Sequence, residues 1–341
     1  MTRRTWFFLG LSGLSGCARD RRPRLNVFNW SAYVAADTIP KFERETGARV
    51  RYSVYESNEE LLARVLSGNS GWDVVFPSNY FVAPMRENDL LTPIDHKRLT
   101  NLHNLDTPFQ APPWDHELAS CVPYMWGASG ILYNKHLQPP PAAWADLWAP
   151  RLAGKLTMLD DPAEVLGAAL KKLGYSLNSK NPDELKRAQQ EALAQKRFLR
   201  AYLNAEVRDQ MVAGDLEASQ LWATTAQQAM DGSESLGFVY PREGFALYAD
   251  NAVILRESRH KELAHEFLNY LLRPEIAAGV VVETRTATAN AGTRAILPPD
   301  VRANTTLYPD QQTLARGEWF QTMPPAVQRL RDRLWTEIKA A

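Results

Sequence analysis

Tyr248 and Asp250 stand two residues apart within an extended run at 245–255, a spacing that puts a ring and a carboxylate on the same side of a strand. A second pair of acids belongs to Asp161-Pro162-Ala163-Glu164. Two readings are open for that pair. It is a helix start, with Asp161 as cap, Pro162 in the first turn and Glu164 reaching back, or it is a set of anionic ligand contacts. Trp30, Tyr33, Tyr80 and Trp222 add rings near predicted strand ends, although a tryptophan taken alone packs in a core as readily as it lines a site. Rings and carboxylates together form a lining suited to an organic cation, which ring faces attract and carboxylates pair directly.

Catalytic chemistry fits the sequence poorly. It contains no G-x-G-x-x-G, no phosphate loop ending in Gly-Lys-Ser/Thr and no G-x-S-x-G; Gly127-Ala128-Ser129-Gly130 has the wrong spacing. His260 and His265 are five apart on a predicted helix, so they do not share a face as metal ligands would, and the other histidines are scattered. No catalytic residue, metal site or cofactor is expected. The chain reads as a binder and not as an enzyme.

The elements that must hold these residues alternate. Leu25 to Phe28 form a strand ending at Asn29-Trp30; Ile39 and Phe42 mark a helix closed by Gly47. Val50, Tyr52 and Val54 alternate with Arg49, Arg51 and Ser53 as in a strand. Ser57 and Glu60 form a capping box for a helix with Leu61, Leu62, Val65 and Leu66 on its apolar stripe, and 73–76 is a buried-type strand. This β-α-β-α-β order predicts an α/β fold, mostly parallel, with helices on both faces. A second round follows, with strands at 130–133, 156–159, 216–222 and 236–240. Its helices lie at 162–173 and 223–230, and a further one with Leu263, Phe267 and Leu271 is stopped by Pro274. In open α/β sheets, ligands bind beyond the carboxyl ends of strands. Here those exits are Asn29-Trp30-Ser31, Ser78-Asn79-Tyr80, Asp160-Asp161 and Trp222, with the 245–255 run long enough to cross from one lobe to another.

With 341 residues, 45% of them hydrophobic, the chain is large enough for two lobes. Lys plus Arg (39) equals Asp plus Glu (39), so no electrostatic grip on nucleic acid or an anionic membrane is expected. Arg3, Arg4 and the apolar run 6–14 read as a secretory signal, too short to span a bilayer core, which takes about 20 apolar residues. Leu14-Ser15-Gly16-Cys17 resembles a bacterial lipobox. By that resemblance 1–16 is a removed signal peptide, Cys17 is lipidated, 17–23 is a tether, and membrane contact is through the lipid anchor alone. The other cysteine, Cys121, then has no disulfide partner and is expected to be a buried packing residue.

Taken together, the segments resemble the periplasmic spermidine/putrescine-binding proteins of bacterial ABC importers. The resemblance is collinear over nearly the whole mature chain. It runs through Phe28-Asn29-Trp30-Ser31-Ala32-Tyr33, Tyr55-Glu56-Ser57-Asn58-Glu59, Pro77-Ser78-Asn79-Tyr80 and Pro123-Tyr124-Met125-Trp126-Gly127-Ala128. It continues in Trp144-Ala145-Asp146-Leu147-Trp148, Asp160-Asp161-Pro162-Ala163-Glu164-Val165, Leu271-Leu272-Arg273-Pro274 and Thr306-Leu307-Tyr308-Pro309-Asp310. It implies a two-lobed periplasmic-binding-protein fold of type II, each lobe a mostly parallel sheet flanked by helices, hinged by crossing strands. Lobe 1 would hold 24–128 and 247–294, and lobe 2 would hold 129–246 and 295–341.

The resemblance also implies a monomeric, extracytoplasmic protein that delivers a polyamine or related organic cation to permease subunits, with an ATPase on the far side. Carried over residue by residue, the amine would stack near Trp30, Tyr33, Tyr80, Trp222 and Tyr248, with hydrogen bonds from Ser31 and Ser78. Asp161, Glu164 and Asp250 would hold its ammonium groups. Three positions depart from the family pattern: Ala32 replaces an acid, Arg285-Thr286 stand where Gly-Tyr is usual, and Phe320 replaces a glutamine, with Gln321 one step later. An acid lost and a cation gained both oppose a polycation if Arg285 faces the cleft. The alternatives are the same fold holding a zwitterionic or shorter amine paired to Arg285, or a polyamine sensor that does not transport.

Overall fold

The computed structural model describes residues 22–341. The 1–16 signal segment, Cys17 and the 17–21 part of the tether lie outside the described residues. Eleven strands are described: β1 (Arg24–Trp30), β2 (Arg49–Tyr55), β3 (Val74–Val75), β4 (Val122–Asn134), β5 (Leu156–Met158), β6 (Leu199–Tyr202), β7 (Ala218–Trp222), β8 (Leu236–Val239), β9 (Phe245–Ile254), β10 (Ala287–Thr288) and β11 (Gly317–Trp319). They form a hydrogen-bonded path β2-β1-β3-β9-β4-β7-β5-β6, with β8 and β10 on β4 and β11 on β9.

The pairing is parallel among β1, β2 and β3 and among β5, β6 and β7. It turns antiparallel where β9 and β4 enter. Residues 122–128 of β4 pair with β9, and residues 129–134 with β7 and β8, so this one strand passes from the first half of the sheet to the second. Every residue of β9 is buried. A strand covered on both faces needs an unbroken apolar run, which explains why Asp250 and Asn251 are such exceptions within it.

Separate cores form on the two halves. Leu25, Phe42, Phe76, Met125, Phe267 and Tyr270 belong to one; Ile131, Trp144, Leu166, Leu185, Phe245 and Leu334 belong to the other. Trp126 and Trp319 pack against both, at the crossing strands. Cys121 is fully buried and free, its Sγ directed at Asn251 Oδ1.

Some local readings are corrected. The strand read at 130–133 is the far end of β4, which starts at Val122. Pro274 does not end the helical region. Helix Lys261–Leu271 closes before it, and Pro274 then opens helix Pro274–Thr284, because a proline at the first helical position loses no hydrogen bond. The alternation in 49–55 is real, yet Val54 is 46% exposed, since β2 is an edge strand with a single partner, β1.

Candidate functional site

A cavity of about 330 Å³ opens where the strand ends of the two halves meet. Ten of the twelve residues expected to bind ligand line it: Trp30, Ser31, Tyr33, Ser78, Tyr80, Asp161, Glu164, Trp222, Tyr248 and Asp250.

Asp250 is the buried acid of the first half. Ser78 Oγ donates to its Oδ1 at 2.7 Å and the Tyr33 hydroxyl donates to its Oδ2 at 2.7 Å. Asn58 Nδ2 in turn donates to Ser78 Oγ (3.1 Å) and to the Tyr80 hydroxyl (3.3 Å), while Asn58 Oδ1 accepts from the Ser78 amide. Burial pushes the Asp250 carboxyl up to about 6, against the pull of the Ser78 and Tyr33 hydroxyls. On the same strand β9, the phenol end of Tyr248 lies against Gly127. A Cβ at Gly127 would come within 2.5 Å of the Tyr248 hydroxyl, so the glycine leaves room for that ring.

Asp161 and Glu164 are the acids that helix Pro162–Lys172 and its cap bring to the cavity from the second half. Asp161 is the cap of helix Pro162–Lys172, its Oδ1 accepting from the Ala163 and Glu164 amides at 2.7 and 3.0 Å. Glu164 does not complete a capping box. Its Oε1 accepts from Ser129 Oγ (2.5 Å) and Trp222 Nε1 (3.2 Å), and its Oε2 from Gln220 Nε2 (3.4 Å). The two sequence readings of this motif therefore divide between its residues: Asp161 caps, and Glu164 turns into the cavity. Burial, then the charge of Asp161, push the Glu164 carboxyl up to about 8. Burial also raises Asp161, with the two amide bonds and Arg331 pulling back.

Arg285 and Thr286 are not on the cavity wall. Arg285 is the left-handed C-cap of helix Pro274–Thr284, with φ +57°, which aims its side chain at helix Ala223–Gly232. There its Nε donates to Asp231 Oδ2 at 2.6 Å. Thr286, just before β10, is fully buried. The repulsion expected from Arg285 in the cleft is thus replaced by an ion pair outside it. Ala32, where an acid was expected from the resemblance, does line the cavity and has φ +53°, a conformation uncommon for a residue with a side chain. Phe320 also lines it, its ring 5.2 Å from Tyr80 and its carbonyl accepting from Asn79 Nδ2 at 2.6 Å.

The remaining wall was not foreseen. Glu56 and Asn58 follow the end of β2, and Ala205, Glu206, Arg208 and Asp209 follow β6. The strand-exit rule applied to Tyr55 finds the first group. The second lies after a short strand with no clear pattern. Thr224, Thr225 and Gln228 come from the first turns of helix Ala223–Gly232. Arg208 is exposed at the mouth and pairs with its neighbour Asp209 at 2.9 Å. His265, set aside above as a metal ligand, accepts from the Asp95 amide through Nε2 and bonds the Lys261 carbonyl through Nδ1. Among the described residues, no group of three or more His, Cys, Asp and Glu is placed to hold a metal ion, and no helix is long and apolar enough to cross a membrane.

A family model for bacterial extracellular solute-binding proteins matches residues 37–308. The spermidine/putrescine-binding periplasmic protein of Escherichia coli is 34% identical, covering 96% of this chain and 95% of that protein. A putrescine/cadaverine-binding protein of Pseudomonas aeruginosa is 32% identical, covering 93% of both. Among solved structures, a Treponema pallidum lipoprotein superposes with a TM-score of 0.83 at 28% identity, over 92% of this chain and 99% of that one.

Proposed function

The chain belongs to the bacterial extracellular solute-binding proteins, in the company of the spermidine/putrescine-binding periplasmic proteins, and on that premise we propose that it captures a polyamine and passes it to the permease of an ABC importer. The observation that carries the reading is the juxtaposition of Asp250 from one half of the sheet with Asp161 and Glu164 from the other, in one ring-lined cavity. A linear amine with an ammonium at each end pairs with both sets of acids at once. Its methylene chain runs between the faces of Trp30, Tyr80, Trp222 and Tyr248. A ligand held from both sides favours the closed arrangement through contacts that the open one lacks. The proposed lobes are 24–128 with 247–294, and 129–246 with 295–341, joined through β4 and β9.

The proposal includes export and anchoring. Periplasmic relatives and a lipoprotein among the structural neighbours support an extracytoplasmic protein lipidated at Cys17. Arg208 at the mouth favours one second reading, a zwitterionic amine whose carboxylate meets this guanidinium.

Calorimetric titration with putrescine, spermidine and γ-aminobutyrate tests the proposal. Both amines are expected to bind and the amino acid to bind far more weakly. Tight binding of γ-aminobutyrate alone would replace the polyamine reading with the zwitterionic one, and no binding of any amine would remove both.

A further inference from the structure

Asn251 follows Asp250 on β9, and the binding reading does not use it. It is fully buried and is not among the residues lining the cavity; strand alternation turns its side chain away from that of Asp250. A buried carboxamide is costly unless its oxygen and its N–H groups find partners. Here they do. Trp114 Nε1 donates to Asn251 Oδ1 at 2.9 Å, and Asn251 Nδ2 donates to the Ala249 carbonyl at 2.8 Å and to the Pro77 carbonyl at 3.4 Å. The Asn251 backbone amide donates to that same Pro77 carbonyl at 2.9 Å.

The Pro77–Ser78 peptide is thereby held at both of its polar atoms. Asn251 takes the carbonyl, and the Ser78 amide donates to Asn58 Oδ1 at 3.0 Å. The preceding carbonyl, of Phe76, accepts from Trp30 Nε1 at 2.8 Å and from the Tyr55 hydroxyl at 2.6 Å. Segment 76–78 is thus a common seat for the Trp30 ring and for Ser78. Ser78 in turn forms an isolated β-bridge with Asp250 and donates its hydroxyl to Asp250 Oδ1 at 2.7 Å.

We propose that Asn251 is a positioning residue for the binding site: from behind the cavity wall it sets the Pro77–Ser78 peptide, and through it the Ser78 hydroxyl on the Asp250 carboxylate. The inference rests on the reading of Asp250 as an ammonium partner. Each Asp250 oxygen accepts one hydroxyl, Oδ1 from Ser78 and Oδ2 from Tyr33, and a carboxylate oxygen has room for a second donor. The two hydroxyls fix the plane of the carboxylate and leave an acceptor position on each oxygen for the ligand. Tyr33 reaches it from the segment after β1, so Asn251 acts on the Ser78 side. The backbone amide of Asn251 alone would give the Pro77 carbonyl one donor; the side chain adds a second, and Trp114 fixes its orientation.

The test is a carbon-13 carboxyl titration of the ligand-free protein by NMR, in wild type, Ser78→Ala, Asn251→Leu and Trp114→Phe. A hydroxyl that donates to a carboxylate favours its charged form, so Ser78→Ala should move the Asp250 transition to higher pH by about one unit. Asn251→Leu keeps the size of the side chain and should reproduce about half of that shift or more. Trp114→Phe, which takes the indole donor from the carboxamide, should give a smaller shift in the same direction. A role confined to stability would lower Tm and leave the Asp250 transition in place. A folded Asn251→Leu with an unmoved Asp250 transition therefore overturns the proposal, as does an unmoved transition in Ser78→Ala. If Asn251→Leu fails to fold, an unmoved transition in Trp114→Phe overturns it. Because no amine is present, the outcome is separate from the transport reading. A protein with the expected shifts that binds no putrescine sinks that reading alone.

Discussion

In the proposed reading amine recognition turns on Asp250, which among the described residues is the one acid of its half that is both deeply buried and on the cavity wall. Asp250→Asn keeps the size of the side chain and one acceptor while removing the charge. It should weaken putrescine by about 2–5 kcal/mol, the cost of leaving one partner of a desolvated charge pair alone, which calorimetry reads directly. An unchanged affinity takes Asp250 out of the site. The acids also fix a pH dependence. Glu164 is raised to about 8 and Asp250 to about 6, both above the unfolded values, so the folded, ligand-free protein binds more protons than the unfolded chain between those limits. Its stability from these groups is present at low pH and declines as pH rises from about 4.5 to about 8. Ligand affinity runs the other way, since the ammonium needs the ionised carboxylate. Thermal melts with and without putrescine should therefore show a ligand-induced rise in Tm that grows between pH 6 and 8; a rise that shrinks over this range contradicts the assignment.

At the scale of elements, helix Ala223–Gly232 joins the cavity to the far end of helix Pro274–Thr284. Gln228 lines the cavity and donates through Nε2 to the Thr284 carbonyl at 2.7 Å, and one turn later Asp231 accepts from both Arg285 and Gln227. Two of these bonds, Gln228 to Thr284 and Arg285 to Asp231, join the two proposed lobes. Arg285→Ala should weaken amine binding by about two- to fivefold, the range of a partly exposed ion pair, and raise the salt sensitivity of what remains no further. A tightening of spermidine binding would restore the repulsive role that the sequence suggested for this arginine.

Much of the site was legible because local chemistry dictated it. The two-residue spacing of Tyr248 and Asp250 survives in β9, and Asp161-Pro162 forms the cap that its types demand. The direction of the Glu164 side chain was not legible, since it depends on Ser129 and Trp222, 35 and 58 residues away. Arg285 was misplaced for a related reason: its left-handed backbone, which no neighbouring residue announces, turns it from the cavity. Glu206, Arg208 and Asp209 look like any solvated charges until β6 is seen to end beside the cleft.

For the whole molecule, two cores tied through β4 and β9 provide a hinge, with Trp126 and Trp319 packed against both cores. Addition of spermidine should lower the radius of gyration in small-angle scattering, and Asp250→Asn should need a higher amine concentration to do so. Tight binding with an unchanged scattering profile would remove lobe closure from the mechanism. The central claim, that one amine is held between acids of the two halves, is tested most directly by a crystal structure grown with spermidine. The expected result places one ammonium nitrogen within about 3 Å of an Asp250 oxygen and another within the same distance of Asp161 or Glu164, with the methylene chain against Trp30, Tyr80, Trp222 and Tyr248. Spermidine found on the surface, or in the cavity with its nitrogens away from both sets of carboxylates, would contradict it.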